Sequence, residues 1–270
     1  MLTQSIRACA LASCALVLAA APARAQYRPR PVATTLPGEN FHVEFMAALW
    51  NPSAEVEITS GTGGSSVDLK RDLGLSDHNF GDYQLVVKLK QKHKIRTELI
   101  PINYRQIGTL KTDVTFNGQV FPAGTPVSSE FHWKAWRFGY EYDMVSTVRG
   151  FFGTILEVRY ADVNASLTAG NRVSSASTKT PIPGVGAIGR IYLASNLSFT
   201  GELAGFSLPG NLIKSESGHY LDWDWYAMLN FADQMSVRGG YRKLNLDYTL
   251  TNDSGSFTFS GWYIGAALRF

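Results

Sequence analysis

The chain has 270 residues, 45% hydrophobic and 12% aromatic, with 25 Lys plus Arg against 22 Asp plus Glu. That composition supports a folded core and excludes a disordered or low-complexity protein. Both cysteines, Cys9 and Cys14, and the excess cations Arg7 and Arg24 lie in the first 25 residues. Loss of that segment would exclude thiol chemistry and leave 23 basic residues against 22 acidic ones, too even a balance to bind nucleic acid by net charge.

Residues 1–25 read as a signal peptide: Arg7, the apolar run Ala8 to Ala21, then Ala23-Arg24-Ala25 as a small-x-small cleavage site. The run is 14 residues long, shorter than the roughly 20 that a membrane-crossing helix needs. Lipoprotein processing at Leu11-Ala12-Ser13-Cys14 would leave only six residues between Arg7 and Cys14 and cut the apolar run short. Residues 26–40, with Pro29, Pro31 and Pro37 and no apolar period, read as a flexible periplasmic leader.

From Phe41 onward the pattern is period two throughout, which predicts an all-β domain over residues 41–270. Ten strands are predicted, at about 40–50, 80–91, 94–106, 127–143, 149–167, 182–193, 196–208, 219–232, 235–249 and 257–270. Short turns at 91–94, 144–148, 194–196 and 232–234 alternate with longer Gly/Ser/Asn/Pro-rich connections at 59–79, 107–126, 168–181, 209–218 and 250–256. Short and long connections therefore fall at opposite ends, the rhythm of an outer-membrane barrel.

One face of each strand is apolar. Tyr83, Leu85, Val87 and Leu89 oppose Gln84, Val86, Lys88 and Lys90; Trp136, Phe138, Tyr140 and Tyr142 oppose Arg137 and Glu141. A soluble lipocalin-like barrel would show the same alternation with its apolar face turned inward. The aromatic load favours the membrane form, with Trp50, Tyr83, Trp133, Trp136, Tyr142, Tyr160, Tyr192, Trp223, Trp225, Tyr241 and Trp262 near strand ends, as an interfacial girdle requires.

The last eight residues, Tyr263-Ile264-Gly265-Ala266-Ala267-Leu268-Arg269-Phe270, resemble the terminal signal of bacterial outer-membrane barrels: a Gly, alternating apolar positions and a final aromatic. Leu268 departs from the pattern, since an aromatic often stands there. The resemblance implies an antiparallel up-and-down transmembrane barrel in the Gram-negative outer membrane, surrounded by lipid. It also implies recognition by the barrel-assembly machinery through Tyr263, Gly265, Leu268 and Phe270. Ten strands are expected; eight would follow if strand one or a neighbour failed to pair, and twelve if the Asn117-Gly118 hairpin joined the wall.

With the apolar faces on lipid, the other faces bring charges inward. The expected lumen set is Lys88, Lys90, Arg96, Arg137, Arg159, Arg190, Arg238, Arg242 and Arg269 against Glu44, Glu98, Glu141, Glu157, Glu202, Asp222 and Asp224, with His42 beside Glu44. A ten-stranded lumen is little wider than its own side chains, so these predict a salt-bridge network rather than a wide channel. No catalytic residue, metal site or cofactor is assigned. The nearest approach to an omptin-like His-Asp pair, His219 with Asp222 and Asp224, is out of phase, and no His-x-Ser of a lipid A deacylase-like site occurs. In the first long connection Val67, Leu69, Leu73 and Leu75 are expected to cap the mouth, with Asp68, Asp72 and Asp77 solvated; their spacing matches no EF-hand. The expected function is structural or surface-binding, or that of a narrow porin-like pore. The alternatives are a barrel enzyme acting on lipid or peptide at the cell surface and a soluble periplasmic binder; the sequence does not encode the oligomeric state.

Overall fold

The structure, a computed structural model, describes residues 39–61, 64–68, 70, 78–213, 216–249 and 253–270. The expected signal segment, most of the leader, and Leu69, Asp72, Leu73, Leu75 and Asp77 lie outside the described residues. Ten strands form the wall: β1 (Val43–Ser60), β3 (Phe80–Lys90), β4 (His93–Thr109), β7 (Pro126–Thr147), β8 (Gly150–Ala169), β9 (Arg172–Ala194), β10 (Leu197–Ile213), β11 (Glu216–Asn230), β12 (Met235–Thr249) and β13 (Asp253–Arg269). Three short strands, β2 (Val67–Asp68), β5 (Val114–Phe116) and β6 (Gln119–Phe121), sit in the connections.

Each wall strand pairs antiparallel with the next, and β13 pairs back onto β1 from Glu44↔Arg269 to Ser60↔Asp253. The sheet is thus a closed barrel without a free outer edge strand. The strand count is ten, as the alternation predicts. Period two turns Phe138, Leu156, Val158, Leu203 and Ile264 outward, where they stay exposed as an apolar belt, and buries the intervening residues in the lumen.

One rim, here the near rim, holds the tight connections at 91–92, 148–149, 195–196 and 231–234. The C-terminus lies there too, where the Phe270 N–H donates to the Val43 carbonyl at 2.8 Å. Gly150, at φ +148°, completes one of these turns; a Cβ there would stand 1.9 Å from the Arg190 carbonyl oxygen, so no side chain fits.

At the far rim three expected loops are replaced by strand. β8 and β9 pair without interruption from Tyr160↔Pro181 to Ala169↔Arg172, β10 and β11 continue to Ile213↔Glu216, and β13 begins at Asp253. Beyond the apolar belt the outward face is polar and residues 168–181 and 209–218 are rich in Ser, Thr, Gly and Pro, so the hydropathic signal of a strand fades although backbone pairing persists.

The Asn117-Gly118 hairpin forms, with φ +46° and +75° at its two turn residues. It does not lengthen the wall strands: β5 and β6 make a separate two-stranded sheet whose Val114, Phe116 and Phe121 are buried. Ser174 Oγ donates to the Phe116 carbonyl at 2.8 Å and Asn117 Nδ2 to the Ser175 carbonyl at 2.9 Å, fastening the hairpin to β9 in the far mouth. Val67 is also buried, paired with Ile58 of β1.

The wall is interrupted above β3, where β1 pairs with it only as far as Trp50↔Phe80 and β4 only as far as Tyr83↔Leu99, and again between β9 and β10. β9 and β10 pair from Leu197↔Ala194 only as far as Gly205↔Val185, and above that level each pairs only with its other neighbour. Proline accounts for the β9–β10 gap. The Tyr192 N–H donates toward β8, to Arg149 at 2.9 Å, so with unbroken register the even residues of β9 address β8 and the odd ones β10. Pro183 and Pro181 are the next odd residues after Val185, and neither has an N–H to offer.

Candidate functional site: the filled lumen

The inward residues of β4 show how the lumen is divided. From the near rim they run Lys94, Arg96, Glu98, Ile100, Ile102 and Tyr104, all buried. The near half of the lumen is therefore charged and the far half apolar, with Trp50, Val56, Phe131, Trp133, Phe257 and Phe259 in its core. Trp133 meets Phe257 and Phe259 edge-on at 5.3 and 5.6 Å between centroids. This corrects the girdle expectation for Trp50 and Trp133, which lie well inside β1 and β7 and in the inward phase, and for Tyr192, whose hydroxyl donates inward to Glu39 at 2.8 Å.

In the charged half Arg242 is the hub. It contacts Glu98 at 2.6 and 3.0 Å, Asp222 at 3.0 and 2.6 Å, and Asp82 at 3.3 Å. Arg159 adds a 2.7 Å bond to Asp222 and lies 4.8 Å from the centre of the Tyr220 ring. Arg137 joins Glu157 and Glu202, Arg96 joins Glu202 at 2.7 Å and Glu141 at 2.9 Å, and Lys94 joins Glu141 at 2.6 Å and Asp143 at 3.0 Å. Arg238 stacks on Tyr226 and Tyr263, and the Tyr263 hydroxyl donates to Asp224 at 2.8 Å. Nearer the rim Arg269 binds Glu44 and Asn230.

Eight buried basic residues face nine buried acidic ones among the described residues. Buried charges are tolerated when paired, and here nearly every one is held by opposite charge, hydrogen bond or ring. Arg159, Arg238, Arg242 and Arg269 are only 1–2% exposed, so this layer is packed rather than wet.

Of the sequence-predicted set, Lys90 and His42 are not brought in. Both are exposed: a register shift between Lys88 and Lys90 breaks the phase of β3, and His42 precedes β1 in a bend. Lys88 lies half-buried at the near mouth, 3.9 Å from Glu39, and the remaining predicted charges are buried in the lumen. Sequence reasoning missed Asp82, Lys94, Asp143 and Glu39. Asp82 and Lys94 share the inward phase of Gln84 and Arg96 and were legible as such, but lay at segment ends; Asp143 sits beside a bulge, and Glu39 belongs to the segment read as leader.

Glu39 closes the near mouth. Its carboxylate accepts from Arg190 and from Tyr192, each at 2.8 Å. Burial alone would push this carboxyl up, but Arg190, Lys94, Tyr192 and Lys88 together outweigh it and hold it below the usual carboxylate range.

At the end of the chain, Leu268 and Phe270 are exposed on the outer face, while Tyr263 points inward. A Cβ on Gly265 would come within 2.6 Å of the Ala47 carbonyl oxygen, so the backbone approach to β1 accounts for the glycine. His219 is exposed on the outer face opposite Asp247, whereas Asp222 is buried among Arg242, Arg159 and Tyr220; the two do not meet.

No protein-family model matches the chain, and no curated protein matches it in sequence. Among solved structures it is similar to the outer membrane protease OmpT from Escherichia coli, with TM-score 0.52 and 9% identity over 88% of this chain and 99% of that one. It is also similar to Ail, the attachment invasion locus protein of Yersinia pestis, with TM-score 0.37 and 9% identity over 85% and 99% of the two chains. A third is the Pseudomonas putida toluene transporter TodX, with TM-score 0.35 and 8% identity over 85% and 90%. The chain has the fold of the bacterial outer-membrane β-barrel proteins, in its ten-stranded antiparallel form.

Proposed function

We propose that the protein is an integral component of the Gram-negative outer membrane, of structural or surface-binding type, with a lumen that does not conduct. The observation that carries this is the layer of Arg159, Arg238, Arg242 and Arg269, paired or stacked across the lumen and sealed from solvent. A water-filled pore would wet the guanidinium groups that line it. The exposed apolar belt supports lipid contact, and the outward Leu268 and Phe270 support handling of the last strand by the assembly machinery. In this reading the near rim, with its short turns, faces the periplasm and the tall far half stands in the medium. Catalysis is not part of it, because His219 and Asp222 occupy opposite faces of β11. Planar-bilayer recording on refolded protein, its fold checked by heat-modifiable gel mobility, is expected to give no discrete current steps. Reproducible steps would replace this reading with that of a narrow charge-lined pore.

A further inference from the structure

A cavity of about 310 Å³ lies where β9 and β10 part. Its lining comes from both faces of the wall. Ala161, Val163, Ile182, Phe206 and Leu246 face inward, while Pro181 and Pro183 are exposed outward. A cavity confined to one side of the sheet would not touch both sets, so this one passes through the wall.

Its height is set by the neighbouring register. Pro181 pairs with Tyr160, an exposed aromatic at the upper edge of the apolar belt, and the next outward pair is polar, Asp162 with Lys179 at 3.2 Å. On the other side of the gap the outward residues change from Trp223 and Leu221 to His219. The opening therefore sits where the apolar exterior gives way to the polar one. The lining is chiefly hydrocarbon, and the floor is the Tyr220 ring, above the Arg159 guanidinium and the Asp222 carboxylate. The β5–β6 hairpin is fastened to β9 in the axial mouth, and the gap gives the apolar half of the lumen a side entrance.

We propose that this opening admits a single acyl chain of a lipid from the surrounding outer leaflet, with its polar head left at the His219 and Asp247 edge. The inference rests on the membrane placement proposed above. Its volume falls at the lower end of small-molecule sites, roughly 300–1,000 Å³, and the charged floor makes it a blind pocket rather than a passage. The proline pair is the device that keeps it open, because it removes the two donors with which β9 would close the ladder to β10.

The test is photolabelling of the refolded full chain in phosphatidylcholine vesicles doped with a phospholipid that carries a diazirine on one acyl chain, with adducts mapped by mass spectrometry. Adducts are expected on the outer belt, at Leu156 and Leu203, and also on the inward residues Ile182, Phe206 and Leu246. Ala161→Phe, which fills the pocket, should abolish the inward adducts and keep those on the belt. Pro183→Val, which restores an N–H, should reduce the inward adducts and covers the case in which the filled variant does not fold. Belt adducts without inward ones, or inward adducts indifferent to both substitutions, would overturn the pocket while leaving the membrane reading intact. Absence of belt adducts would overturn both.

Discussion

Arg242 on β12 reaches across the lumen to Glu98 on β4, placing Nη1 and Nη2 at 2.6 and 3.0 Å from the two carboxylate oxygens. The two strands are not neighbours in the wall, and the same guanidinium also holds Asp222 of β11 and Asp82 of β3. One side chain thus ties four strands through the interior. Its removal strands several carboxylates in a sealed layer, so Arg242→Met is expected to cost roughly 3–5 kcal/mol. Urea unfolding in detergent, followed by tryptophan fluorescence, measures this. Adding Glu98→Gln to the same chain should recover part of the loss, because it removes one of the stranded charges.

The Glu39 latch carries a pH signature. A carboxyl whose folded pKa is depressed stabilises the fold above its unfolded value, near 4.5, and loses that contribution as pH falls through the lower folded value. Glu39→Gln should therefore destabilise at neutral pH, by roughly 1.5–3 kcal/mol for hydrogen bonds to a charged group. The difference from the parent protein should shrink as the medium is acidified below pH 4.5. A difference constant from pH 7 to pH 3 would show that the carboxylate charge is not what holds the mouth.

Substitution at Gly150 should be costly despite its exposed turn. Its φ of +148° disfavours any side chain by about 1–3 kcal/mol, and the Arg190 carbonyl occupies the place of a Cβ. Gly150→Ala is expected to lower refolding yield on heat-modifiable gels, whereas Gly170→Ala at the far rim, where nothing lies within 4 Å, should cost only the strain of its φ of +56°.

The β5–β6 cap can be loosened without touching the wall. Phe116 is 2% exposed, and Phe116→Ala should destabilise by about 3–5 kcal/mol if the hairpin unfolds together with the barrel. A smaller effect accompanied by rapid protease cleavage between residues 110 and 125 would instead mark the cap as an independently opening unit.

The closed wall was legible because lipid on one side and packing on the other impose a two-residue period, and every strand that crosses the belt carries it. The same logic explains what was not legible. Above Tyr160 and Pro181 neither face of β8 or β9 meets lipid, so the Ser- and Thr-rich stretch from Thr168 to Lys179 reads as loop although it pairs as strand. The lumen charges were found by phase, and Lys90 failed where a bulge resets the phase. The apolar upper lumen was missed for a related reason. Inward Ile102, Trp133 and Phe257 lie on strand stretches whose outward residues are polar, which inverts the polarity rule that holds within the belt. The β9–β10 gap needed two facts together: prolines at alternate positions, visible in sequence, and the side of the ladder they face, which only the register reveals.

The wall is a ring, and the bond from Phe270 to Val43 begins the antiparallel ladder that joins its last strand to its first from Glu44↔Arg269 to Ser60↔Asp253. In bonding terms, β1 and β13 therefore meet like any other pair. Joining residue 43 to residue 270 through a short linker and reopening the chain at the turn 148–149 would preserve the full set of strand pairs while placing a different strand last. Such a circular permutant keeps the ring of strand pairs while moving Phe270 from the chain's end into its interior, so its refolding reads what the ring contributes apart from the position of Phe270.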